Sequence, residues 1–212
     1  MRKILWCGGS HLGSSKDVIP SIFEHDENTF YVTAGGKNRL WSMNGGTYRV
    51  EGTVVGGNAH EPERREDLSR YDHIVFVGQY IQPNRYFQGD CLLSNAVISK
   101  ILSQDDFLIK FPDGIYNQPL ELFPDLHPRV TLLADPWHSK QHIDRKCLSA
   151  FVDAVSQFCI KRNIRLMFQP ASTLSERYQT DKKFKKSDID RIHCNAAFWN
   201  EYLSCVFNGI DS

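Results

Sequence analysis

Two stretches near opposite ends of the chain hold side chains whose types suit joint chemistry. "KILWCGGSHLGSSK" presents Ser10 after a short apolar run that breaks into glycines, and "SDIDRIHCNAAFWNEYL" sets Asp190 three residues before His193. A serine hydroxyl is a poor nucleophile unless an imidazole removes its proton and a carboxylate orients that imidazole. One candidate exists for each role: Ser10 as nucleophile, His193 as base, Asp190 as the group that holds His193. The i, i+3 spacing in a tight loop lets the carboxylate reach the ring nitrogen that faces away from serine. Chain order does not matter, since the arrangement recurs in several orders. Plainer readings stand beside these. Ser10 also suits a turn or helix cap after a strand, Asp190 a helix cap, and His193 a half-buried residue of the last helix. His11, next to the nucleophile, reads either as a substrate contact or as an exposed loop histidine.

Other chemistry-bearing groups are weaker. In "DPWHSKQHID", His138 and His142 stand at i, i+4 between Asp135 and Asp144, a spacing open to a metal. Asp-Pro reads better as the start of a helix with Pro136 in its first turn, so no metal is expected. Six cysteines are scattered without C-x-x-C spacing, which gives no support to zinc or thioredoxin-type sites. The glycine pairs 35–36, 45–46 and 56–57 match neither phosphate-binding loop nor dinucleotide fingerprint, and turns suffice to explain them. No cofactor is expected. With 25 basic and 25 acidic residues, nothing electrostatic argues for nucleic acid or an anionic membrane as the main ligand. Lys182, Lys183, Lys185 and Lys186 form a local basic cluster, either a solvated loop or an attraction for anionic substrates beside the C-terminal motif.

These residues need elements to position them. At 212 residues and 41% hydrophobic content the chain suits a single domain over 1–212 with a sizeable core. Apolar runs at 3–7, 29–33, 72–78, 129–135 and 164–170 read as buried strands, and "YRVEGTVV" as a further extended piece. Helical spacing covers 92–102, 143–162 and 195–207. Strands alternating with helices predict an α/β fold with a central parallel sheet of about five strands, covered on both faces. Ligands in such sheets sit beyond the carboxyl ends of the strands, where Ser10, Gly78 and the D-x-x-H motif would share one crevice. The proline-rich stretch 110–129 reads as a surface loop or lid. No apolar run is long enough to span a membrane, and the short N-terminal run does not make a signal peptide, so the cytoplasm is the default expectation.

The two ends resemble those of the SGNH hydrolases, also called GDSL-type lipases and esterases. Asp190-Arg191-Ile192-His193-Cys194-Asn195 matches the family's D-x-x-H-x-N ending, and "GGSHL" matches its first block in glycine and serine. Gly9 stands where aspartate is frequent, and His11 where leucine is. The G-x-S-H form resembles members that act on acylated polysaccharides. "VVGG" resembles the second block; in the third, Gly78-Gln79-Tyr80 carries Tyr80 where the family has asparagine. The resemblance implies a flavodoxin-like three-layer fold and an oxyanion hole built from the N–H groups of Ser10 and Gly56 or Gly57 with the Gln79 amide. Asn58 and Asn84 are alternative donors, and His11 and Tyr80 would contact substrate. It implies a serine esterase or O-acyltransferase acting on a small-molecule or carbohydrate ester. Alternatives are an SGNH-like transferase in surface-polysaccharide assembly and a catalytically silent binding module.

Overall fold

The computed structural model describes residues 1–32, 41–44, 47–56, 59–78, 96, 100, 124–137, 145–176, 178–190 and 192–210. Eight strands form one sheet: β1 (Lys3–Gly8), β2 (Glu27–Val32), β3 (Trp41–Asn44), β4 (Thr47–Gly56), β5 (Ala59–Asp67), β6 (His73–Val77), β7 (Val130–Leu133) and β8 (Arg165–Met167). Among the described residues these α-helices accompany them: α1 (Ser10–Ser15), α2 (Ile19–Ile22), α3 (Arg145–Lys161) and α4 (Ala196–Ile210).

The order β2-β1-β6-β7-β8 is parallel throughout and gives the five-stranded, flavodoxin-like sheet. Alternation within the strands divides the core. Leu5 and Cys7 of β1, with Ile74 and Phe76 of β6, pack with Phe151, Val155 and Phe158 of α3 on one face. Ile4, Trp6, Val75 and Val77 point the other way, onto Leu12 of α1 and Phe198, Trp199, Tyr202 and Leu203 of α4. This is the period-two pattern of strands buried on both faces. Trp6 satisfies its indole N–H on the Asn28 side-chain oxygen at 2.8 Å. Arg2 clamps Asp26 in a two-pronged ion pair, which ties the starts of β1 and β2 together.

Beyond β2 the sheet turns antiparallel. β4 pairs with β2, β3 and β5, and both hairpins close on glycine-bearing sequence, between Asn44 and Thr47 and between Gly56 and Ala59. β5 contains Pro62. The register with β4 jumps from Thr53↔Glu63 to Val55↔His60, a bulge at the residue with no N–H to give. One sequence expectation changes. No helix starts at Pro136, since residues 134–137 run without regular structure and α3 begins at Arg145. The tail of the proline-rich stretch is a 3-10 turn (Pro124–Arg129) that buries Leu126 and His127 and leaves its other four residues exposed. The expected helix 92–102 and most of the stretch 110–123 lie outside the described residues. Among the described residues no helix is long and apolar enough to cross a membrane.

Candidate active site

In the order β2-β1-β6-β7-β8 the chain changes direction of travel across the sheet between β1 and β6, and the crevice of such a fold opens there. Two glycines shape it. A Cβ on Gly8 would meet the Val77 carbonyl oxygen at 2.5 Å, so only glycine lets the end of β1 lie this close to β6. Gly78 ends β6 at φ +73°, the left-handed region, where glycine alone is unstrained.

Ser10 follows β1 as the first residue of α1, exposed, and so stands at the carboxyl end of the sheet as expected. The helix closes its first bond from the Gly13 N–H to the Gly9 carbonyl at 3.1 Å, and helix geometry leaves the N–H groups ahead of it without an intrahelical acceptor. Trp199 of α4 pins this helix by donating its indole N–H to the Ser14 hydroxyl at 3.1 Å.

Asp190 and His193 meet. The His193 Nδ1 lies 2.8 Å from Asp190 Oδ2 and 3.0 Å from Oδ1, while Oδ1 also accepts the backbone N–H groups of His193 (3.1 Å) and Ile192 (3.2 Å). The carboxylate thus closes its own turn and grips the ring at once. These bonds, the His193 backbone N–H first among them, hold the Asp190 carboxyl down at about 2. An ionised carboxylate only accepts, so Nδ1 carries the ring proton and Nε2 of the neutral ring is left as proton acceptor.

The motif's asparagine serves the scaffold. Asn195 caps α4 by accepting the Phe198 N–H at 3.1 Å, and its amide donates to the carbonyls of Lys183 (2.7 Å) and Lys185 (3.3 Å). Lys186 donates its N–H to the His193 carbonyl at 3.0 Å, so the lysine cluster is bound edge to edge with the D-x-x-H turn. Cys194, between His193 and Asn195, is buried, and burial pushes its thiol up to about 12, far from a thiolate.

The first turn of α1 and the His193 loop face one another: the rings of His11 and His193 are 5.7 Å apart. Among the described residues no hydrogen bond joins Ser10 to His193. His11 is not an exposed loop histidine. Its side chain is 11% exposed, and Nε2 approaches Asp135 Oδ1 at 3.4 Å, with Asp135 at 2%. Asp135, read from sequence as part of a helix start or metal cluster, is buried just beyond β7 against α1. The sequence sign was an acid closing the apolar run "RVTLLAD". His138, His142 and Asp144, the other residues of that spacing, lie outside the described residues, as do Gly57, Asn58, Gln79, Tyr80 and Asn84. Gly56 is a correction. β4 runs antiparallel to β2 and passes Thr53↔Val32 before Val54↔Tyr31, so Gly56 travels toward the amino end of β2, away from the edge that carries Ser10.

Gln169 locks the loops behind the site. Its side-chain oxygen accepts from the Trp137 N–H (2.7 Å) and the Thr180 hydroxyl (3.0 Å), and its amide donates to the Thr173 hydroxyl at 3.0 Å. Tyr202 shares its hydroxyl hydrogen between the carbonyls of Met167 (2.6 Å) and Ala134 (3.1 Å), which fastens α4 to the ends of β7 and β8. Burial, with Asp135 nearby, pushes that phenol well above its usual range and keeps it a donor.

No protein-family model matches the sequence, and no curated protein does. Among solved structures the chain is similar to a "putative acylhydrolase" from Bacteroides fragilis, at 12% identity and a TM-score of 0.52, over 99% of this chain and 88% of the other. It is also similar to an extracellular lipase from Streptomyces rimosus, at 11% identity and a TM-score of 0.51, over 99% of both chains. At these identities the likeness shows a shared α/β fold of the kind the terminal motifs implied.

Proposed function

We propose that the chain is a serine hydrolase or acyl transferase acting on ester bonds. Ser10 attacks the ester carbonyl and passes its proton to His193 Nε2. Collapse of the tetrahedral intermediate returns that proton to the leaving alcohol and leaves the acyl group on Ser10. Water, or a second alcohol in the transferase form, then repeats the sequence in reverse. Asp190 fixes the ring and offsets the charge His193 acquires. The Ser10 N–H, at the start of α1, is the first oxyanion donor, and the Gln79 amide is the further one expected. An O-acylated carbohydrate remains the favoured substrate, with a free small-molecule ester next.

The observation that carries this reading is the 2.8 Å Asp190–His193 contact in a loop set against the first turn of α1. Catalytic hydrogen bonds tighten around the reacting ester, so a Ser10–His193 bond is expected in the substrate complex. Fold neighbours described as an acylhydrolase and a lipase support the same chemistry. The test is a fluorophosphonate, which traps an activated serine covalently, followed by mass mapping of the adduct. Label on Ser10, lost in a folded Ser10→Ala chain together with all ester cleavage, is the expected result. Full activity in Ser10→Ala, or label on Ser14 or Ser15, would remove the assignment.

A further inference from the structure

The site holds a second carboxylate and a second imidazole that this mechanism does not use. Asp135 is 1% exposed overall, and burying a carboxylate is costly unless a cation or donors answer it. One group brought to it is the His11 ring, at 3.4 Å and itself nearly buried. The main chain independently reserves the space. A Cβ on Gly78 would lie 2.9 Å from both Asp135 Oδ1 and the His11 Cδ2, so the end of β6 stays bare where the pair sits. On its other sides the His11 ring meets His193 at 5.7 Å and Trp199 at 6.3 Å. His11 therefore touches the ends of β6 and β7, helix α4 and the base, and it is joined by one peptide bond to Ser10.

We propose that Asp135 and His11 form a second carboxylate–imidazole pair that positions the reacting groups: anchored at the end of β7, the His11 ring is the fixed wall that sets the Ser10 turn and the His193 ring relative to each other. Both are positioning residues, and the inference rests on the serine-hydrolase reading of the same site. Its logic is that of any support behind a reacting group. A nucleophile on an exposed first turn and a base on a loop have no direct bond to keep them in register, and a misplacement of about 1 Å can cost about a hundredfold in rate. A ring held between them, with its own orientation fixed by a buried charge, supplies that register.

The test uses the full chain with p-nitrophenyl acetate as substrate and a fluorophosphonate as the label for Ser10. Two near-isosteric variants, Asp135→Asn and His11→Gln, keep the volume at the site, and circular dichroism checks their fold. Each should lower kcat by about tenfold to a hundredfold with KM within about twofold, the pattern of an effect felt in the transition state. The labelling rate at Ser10 should fall in parallel. Because the two residues act as one unit, the double variant should lose no more than the worse single variant. Either single variant retaining kcat within about twofold of the parent, or a double variant whose losses multiply, would overturn the proposal while the serine-hydrolase reading stands. A parent chain that neither labels at Ser10 nor cleaves the ester would overturn that reading, and this one with it.

Discussion

Asp190 is ionised throughout the neutral and mildly acidic range, because three N–H bonds hold its carboxyl at about 2. A loss of rate on acidification must therefore come from an imidazole. In the parent chain kcat/KM should rise with pH as the ring becomes able to accept the serine proton. His193→Ala should remove that limb together with most of the rate, while His11→Ala should retain it at a lower level. A rate profile of the His193→Ala chain that still carries the limb would transfer the base role elsewhere. The same depressed carboxyl has a consequence for folding: the stability it contributes is present above the unfolded value near pH 4 and is lost as pH falls toward 2. The Asp190–His193 contact was legible because the pair is local in sequence, and the place of Ser10 because it follows the first strand. Asp135 was not, because its partner His11 is distant in the chain and only the parallel pairing of β1, β6 and β7 brings them together.

Helix α4 begins where the site needs it to, and Asn195 is the reason. Removing the cap in Asn195→Ala should cost about 1–2 kcal/mol, read as a lower urea midpoint at unchanged slope. It also frees the carbonyls of Lys183 and Lys185, so activity should fall further than the stability loss alone explains. Asn195→Asp keeps an oxygen for the Phe198 N–H but has no amide to give the lysine loop. It should recover stability in part and activity less. Equal recovery of both would separate the lysine loop from catalysis. At this scale the strands buried on both faces were readable as apolar runs, and α3 and α4 as helical stripes. β5 was hidden because "AHEPERRED" is charged and holds a proline, the composition of a protected edge and not of a core strand. The helix expected at Pro136 gave way to an irregular segment whose Trp137 N–H goes to Gln169 from across the sheet's end.

Across the whole molecule the two halves of the proposed site are held with unequal security. β1, which delivers Ser10, is flanked by β2 and β6, and its residues Ile4 to Cys7 are wholly buried. The His193 turn hangs from a helix cap, one isolated bridge to Lys185 and a few loop hydrogen bonds. The alternation of strand and helix announced the parallel centre of this arrangement, but not the antiparallel extension beyond β2, whose glycine-closed hairpins carry little apolar pattern. Deuterium should therefore enter the backbone amides of residues 182–195 long before those of β1, by an opening that leaves the sheet closed. Mild denaturant should then abolish turnover at concentrations where the tryptophans still report a folded chain, and dilution should restore it at once. Simultaneous loss of turnover and of the fold would mean that base and nucleophile belong to one cooperative unit. The molecule would in the expected case switch off by letting go of its base, with its nucleophile still in place.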